Sequence, residues 1–207
     1  MDQTLNQLKE AIVRADGGRV DQLLSDVKGK ADFDMIFNQC INPALDTLCL
    51  GIKEQKRAIP ELLMGLKQVN LIVRSVGENA TAASKRKQTI IIGVIEGDIH
   101  DMGKNIIRDV CRGYGFEVID LGKDISSEMF VEAAESSQAD VACLSTMLST
   151  TIDSMKNTVA RLKLSRPGIR VLIGGAFMNE LIASQIGADV YAENAATVRT
   201  VIDRVLQ

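Results

Sequence analysis

The stretch Ile90-Ile91-Ile92-Gly93-Val94-Ile95-Glu96-Gly97-Asp98-Ile99-His100-Asp101-Met102-Gly103-Lys104-Asn105-Ile106-Ile107 decides how this chain is to be read. Its first six residues are an apolar run of strand length. A polar, glycine-bearing turn follows, and from Asn105 to Cys111 the pattern becomes helical. Strand, turn and helix in this order deliver the single histidine of the chain to the carboxyl end of a strand. In open α/β sheets that edge is where ligands bind. An imidazole there can ligate a metal, and a carboxylate two residues earlier, Asp98, can hold its second nitrogen. The plain alternative is an exposed loop histidine, or one satisfied by a backbone carbonyl.

Beyond this unit the pattern keeps alternating. Strands are expected at Thr89–Ile95, Phe116–Leu121, Asp140–Leu144, Arg170–Ile173 and Asp189–Tyr191, and helices near 104–113, 127–137, 151–164, 179–186 and 194–206. Five strands, each followed by a helix, predict a doubly wound parallel sheet of Rossmann or flavodoxin-like type over residues 89–207. Upstream the grammar differs. Residues 1–75 repeat apolar positions at helical spacing: Leu5, Leu8, Ile12 and Val13, then Val20, Leu23, Leu24 and Val27. Gly17-Gly18 is expected to separate these two helices. A third runs from Phe33 to about Lys53, with a kink or break at Pro43. Pro60 stands where an N1 proline starts a fourth, continuing to Val73. Four helices with short connections predict a bundle. Residues 76–88 lose the periodicity and read as a linker.

Composition bounds the function. The 207 residues carry 24 basic and 27 acidic groups, a net charge of −3, with no long run of either sign. That argues against nucleic acid or anionic lipid as the main partner. No segment approaches the ~20 apolar residues of a membrane span, and the first residues lack a secretory pattern, so the expected location is cytoplasmic. Cys40, Cys49, Cys111 and Cys143 are scattered in apolar stretches, which predicts buried, reduced thiols.

If the sheet is parallel, the loops after its strands gather on one edge. After the third strand comes Ser145-Thr146-Met147-Leu148-Ser149-Thr150-Thr151, with five hydroxyls in seven residues. One or two are expected to cap the helix that follows; the others suit hydrogen bonds to a buried polar chain. After the fourth strand comes Gly174-Gly175, which permits close backbone approach to a bulky ligand, or simply makes a tight turn. After the fifth comes Ala192-Glu193-Asn194. Lys104 is the one basic residue near this edge, an odd composition for a free-phosphate site. There is no P-loop, dinucleotide fingerprint or Gly-x-Ser-x-Gly nucleophile, and Gly113-Tyr114-Gly115 precedes a strand and reads as a helix terminator. Asp98 and Asp101 offer only a weak version of a receiver domain's acidic cluster.

Asp98-x-His100-x-x-Gly103, then Ser145 in a hydroxyl-rich loop, then Gly174-Gly175, resembles the cobalamin-binding motif of methionine synthase, several mutases and the corrinoid proteins of methyltransferase systems. The likeness extends to the first half, where Ile59-Pro60-Glu61-Leu62-Leu63-Met64 resembles the helix that caps the corrin ring. The resemblance implies a helical-bundle cap and a cobalamin-binding α/β domain. It implies a bound cobalamin, as methylcobalamin or a related corrinoid, whose own base leaves the cobalt and is replaced by His100. Asp98 would orient the imidazole, with Thr151, or next to it Thr150, extending the relay. Asp101, Gly103, Ser145, Leu148, Ser149, Gly174, Gly175 and Ala192 would line the cofactor, and Leu63 and Met64 its upper face.

The resemblance further implies a methyl carrier rather than a complete enzyme. Its partners would be a substrate-specific methyltransferase, a methyl-acceptor methyltransferase of tetrahydrofolate or thiol type, and a reductive activase. The rivals are the small subunit of a carbon-skeleton mutase and a cobalamin-sensing regulator. For the latter the near-neutral first half offers no basic recognition helix.

Overall fold

The computed structural model describes residues 1–54, 56–80, 88–193, 195 and 197–207; the side chains of residues 49, 52, 53, 59, 77–80 and 199 lie outside that description. The chain divides into two compact units, Met1–Ser84 and Lys85–Gln207.

The first unit is helical: α1 (Asp2–Val13), α2 (Gly17–Val27), α3 (Phe33–Ile36), a π-helical turn (Phe37–Ile41), α4 (Asn42–Lys53) and α5 (Ile59–Ala80). Leu5, Leu8 and Ile12 of α1 are buried with Val20, Leu23 and Val27 of α2, as their spacing predicts. The break between α1 and α2 is not made by Gly17-Gly18, which belong to α2. Ala15 makes it by adopting a left-handed φ of 55°, after which the Asp16 side chain caps α2 by accepting from the Arg19 N–H. Pro43 acts upstream of itself. It has no N–H for the i−4 carbonyl, and the turn before it widens so that the Asn42 N–H donates to Phe37 O. The kinked segment stays packed through the stacked rings of Phe33 and Phe37, 5.8 Å apart. Pro60 is the second residue of α5, whose start is closed by the Ala58 N–H donating to Glu61 Oε2 at 2.8 Å. Gly65 lets α4 approach: a Cβ there would lie 2.5 Å from Leu48 Cδ1. Residues 76–80, expected in a linker, instead continue α5, and the rest of that expectation, at 81–87, lies outside the described residues.

The second unit alternates β1 (Thr89–Ile95), α6 (Met102–Gly113), β2 (Glu117–Ile125), α7 (Ser127–Ser136), β3 (Val141–Ser145), α8 (Ile152–Ser165), β4 (Arg170–Gly174), α9 (Glu180–Ile186), β5 (Val190–Tyr191) and α10 (Val198–Val205). Its described strands form one parallel sheet in the order β2-β1-β3-β4-β5. This is the flavodoxin-like order, which the strand pattern alone could not separate from the Rossmann one. Ile90, Ile91, Ile92, Val94 and Ile95 are buried because helices cover both faces of β1. Gly93 is the exception that packing demands, since a Cβ there would lie 2.7 Å from the ring of Phe130 on α7. Gly115, at φ 86°, ends α6 as expected of a terminator. No helix among the described residues is long and apolar enough to cross a membrane.

Candidate functional site

With β1 flanked by β2 on one side and β3 on the other, the chain leaves the sheet in opposite directions after β1 and β3. Their loops therefore part at a crevice, the switch point where open α/β sheets place ligands. Into this crevice β1 sends Asp98 and His100, and β3 sends Thr146.

Asp98 is fully buried and accepts four hydrogen bonds. Its Oδ1 takes the His100 N–H at 2.9 Å and lies 2.6 Å from His100 Nδ1. Its Oδ2 takes the Thr146 hydroxyl at 2.8 Å and the Met147 N–H at 2.5 Å. Burial by itself would raise the carboxyl. The backbone N–H groups of His100 and Met147, the Thr146 hydroxyl and the His100 ring outweigh it and hold the group at about 2. The carboxylate is thus charged at neutral pH and engages His100 at Nδ1. Nε2 is the nitrogen left for a metal, on a side chain that is 51% exposed.

The hydroxyl that reaches Asp98 is Thr146, not Thr151 or Thr150. Thr151 stands one step further out: its Oγ1 lies 2.6 Å from Thr146 Oγ1 and 2.9 Å from Leu148 O, and its single proton serves one of the two. Thr150 is exposed in the 3₁₀ turn Ser149–Thr151. The sheet register explains the difference. Val94 pairs with Ser145, so the residue after Ser145 is the first loop position beside the end of β1. Nothing in the sequence separates Thr146 from the other four hydroxyls of this loop, because the choice depends on that register.

Gly174-Gly175 also takes on a different role. Gly175 has φ 130°, and a Cβ there would lie 1.7 Å from Thr146 O; the Thr146 N–H donates to Gly174 O at 3.2 Å. The glycine pair is therefore required to seat Thr146, whatever else approaches it. The loops after β1, β3 and β4 thus meet through Asp98, Thr146 and Gly175.

The remaining expected residues divide. Gly103 faces open space, since a Cβ there would meet nothing within 4 Å. Asp101 begins α6 without a side-chain cap bond and is half-buried, as are Ser145 and Leu148; Ser149 is exposed. Ala192 is buried at the end of β5, its N–H donating to Ile173 O. Leu63 and Met64 belong to α5 of the first unit, where both are exposed rather than core. Lys104 is no free cation at the edge: it is buried and bonds Asp120 Oδ1 at 2.5 Å, while Arg108 bonds Asp120 Oδ2 at 2.8 Å. Burial opposes ionisation of Asp120, but these two cations keep its carboxyl below the usual range. The side chains that sequence reasoning overlooked include Ile99, Met147 and Phe177, large apolar groups left exposed on the loops after β1, β3 and β4.

This donor set has a chemical meaning. Among the described residues no group of three or more His, Cys, Asp or Glu is placed to hold a metal ion. Cys40 and Cys143 are buried free thiols pushed up to about 12 by burial, and Cys111 is raised likewise; Cys49 lies outside the described side chains. One oriented imidazole is too few ligands for a bare ion. It suits a metal whose equatorial positions a macrocycle already fills, and exposed apolar side chains beside it suit the underside of such a ring. Residues 88–201 match the model of the B12 binding domain. The chain is a corrinoid protein of the B12-binding family. It is 30% identical over 199 residues to dimethylamine corrinoid protein 1 of Methanosarcina acetivorans, covering 94% of this chain and 93% of that one. Its fold superposes on the monomethylamine corrinoid protein of Methanosarcina barkeri with a TM-score of 0.79, over 98% of both chains at 24% identity. It also matches the methanol:cobalamin methyltransferase complex of the same organism, with a TM-score of 0.60 at 25% identity, covering 99% of this chain and 80% of that one. The helical first half and the five-stranded parallel sheet expected from the sequence agree with these folds.

Proposed function

We propose that this corrinoid protein is a methyl carrier that holds cobalamin with its own base displaced and His100 Nε2 as the lower ligand of cobalt. The observation that carries the reading is the buried, ionised Asp98 engaging His100 at Nδ1, with Thr146 behind it. Bound cobalt supplies a centre that takes up and releases a methyl group. The chain's own residues set how firmly the imidazole is held. Asp98 keeps the proton on Nδ1, so that Nε2 presents a lone pair, and it fixes the orientation of the ring. Thr146 and the Met147 N–H keep Asp98 from rotating, and Thr151 keeps the Thr146 hydroxyl aimed at Asp98. Gly103 and Ser145 would offer space and a hydroxyl to the cofactor's nucleotide tail, and the exposed Ile99, Met147 and Phe177 would offer apolar surface to its ring.

The partners would be a methyltransferase that brings a methylated substrate to the cofactor, an acceptor methyltransferase of tetrahydrofolate or thiol type, and a reductive activase. The methylamine and methanol systems named among the relatives support this class of partner. The deciding experiment is reconstitution of His100→Ala with methylcobalamin. We expect bound cofactor with the absorption spectrum of a protein lacking a histidine ligand; a spectrum identical to wild type overturns the axial-ligand reading. Affinity capture that returns a mutase barrel subunit rather than methyltransferases overturns the carrier assignment.

A further inference from the structure

Strand β2 ends irregularly beside the His100 loop. Its register against β1 slips twice, from Ile92↔Asp120 to Gly93↔Gly122 and then to Ile95↔Ile125. Extra residues in one strand bulge it, sharpen its twist and re-aim its side chains. The bulged end holds two left-handed residues, Gly122 at φ 94° and Asp124 at φ 58°. Asp tolerates this conformation better than most residues, but it still costs free energy, and such conformations persist where the surroundings impose them.

The bends aim two carboxylates at the two ends of the loop. Asp124 Oδ1 accepts the Gly97 N–H at 2.8 Å, and the Asp124 N–H donates to Asp98 O at 3.1 Å. These paired bonds clip the backbone just ahead of His100. Asp120 holds the far end, binding Lys104 and Arg108 on α6 and accepting the Gly122 N–H at 3.0 Å. Asp98 can orient His100 only if its own backbone is held, and the side of that backbone facing β2 is held by Asp124.

The geometry points to Asp124 as a positioning residue that preorganises the Gly97–Asp98 backbone so that His100 is held ready for cobalt. The inference rests on the axial-ligand reading above. Nothing about Asp124 requires it to touch the cofactor. Its loss acts on the balance between ligated and unligated His100, read at saturating cofactor where occupancy stays full.

The test uses the full chain loaded with methylcobalamin at fixed pH, with the histidine-ligated fraction read from the visible spectrum and total binding measured separately. Losing one hydrogen bond predicts a roughly three- to tenfold fall in the ratio of ligated to unligated cofactor for Asp124→Ala. Asp124→Gly keeps the left-handed backbone but loses the acceptor, and falls with it. Asp124→Asn keeps both and restores the wild-type ratio. In the cofactor-free protein, amide exchange at Gly97 accelerates in Ala and Gly but not in Asn. If Asp124→Ala does not fold, the Gly and Asn pair carries the comparison. A histidine-dependent wild-type spectrum that Asp124→Ala and Asp124→Gly leave unmoved overturns this inference alone. So does a loss shared equally by Asn. A wild-type spectrum identical to His100→Ala overturns the axial-ligand reading, and this inference with it.

Discussion

The two units bury different things. In the helical unit the interior is apolar throughout α1, α2 and the kinked helix, and the residues assigned to the cofactor, Leu63 and Met64, stand outside it. In the α/β unit Asp98, Thr146 and Thr151 are themselves buried, at the point where the loops after β1 and β3 part. An apolar core tolerates exchange of one hydrocarbon for another. A buried carboxylate with four donors does not, because each donor left unpaired costs its desolvation. Substitutions should therefore be felt sharply in the second region and softly at the cap.

The largest expected effect is at Gly175. Gly175→Ala puts a Cβ into the Thr146 carbonyl in a backbone conformation alanine disfavours. We expect a loss of about 3 kcal/mol or more in denaturant unfolding, and with it loss of the histidine-ligated spectrum. Wild-type stability there would break the link between the glycine pair and Thr146. Asp98→Ala strands the donors of Thr146, Met147 and His100 and is expected to cost about 2–4 kcal/mol. Asp98→Asn should weaken ligation by roughly 10–100-fold without abolishing cofactor binding.

The same carboxylate makes stability depend on pH. Its folded value of about 2 lies below its ordinary 3.8, so its contribution is complete above about pH 4 and is lost as pH falls toward 2. The loss is about 2 kcal/mol across that window. An acid titration of unfolding free energy should show this slope in wild type and lack it in Asp98→Asn.

Smaller effects rank the hydroxyls. Thr146→Val should cost about 1–2 kcal/mol and shift the bound-cofactor spectrum, Thr151→Val about 1, and Thr150→Val less than about 0.5. Equal effects at Thr150 and Thr146 would contradict the relay described here. Least of all, Leu63→Ala and Met64→Ala should change unfolding by under about 0.5 kcal/mol, because both side chains are exposed. A large stability loss would show them to be bundle core after all.

Much of this is legible in the sequence. The apolar run at 90–95, the polar turn and the helix after it are local signals, and Asp98, His100 and Gly103 sit within one short loop. Other features escaped because they depend on where strands lie. Thr146 was one of five hydroxyls until the pairing of Val94 with Ser145 set it beside Asp98. Gly17-Gly18 looked like a breaker, but backbone freedom permits a break without placing it, and Ala15 took the left-handed turn. Residues 76–80 looked like a linker because small and polar side chains weaken the periodic signal, although they continue α5.

By itself, the sequence determined the alternation of strands and helices, the helical first half, and the chemistry of a single imidazole with a carboxylate two residues before it. Those properties follow from short-range periodicity and from residue type. The tertiary structure decided the flavodoxin-like strand order, Thr146 as the hydroxyl on Asp98, Gly175 as its seat, and the grip of Asp120 and Asp124 on the loop. Each of these is a contact between segments far apart in the chain, fixed by sheet register and by bulges at a strand end, and no local pattern encodes them.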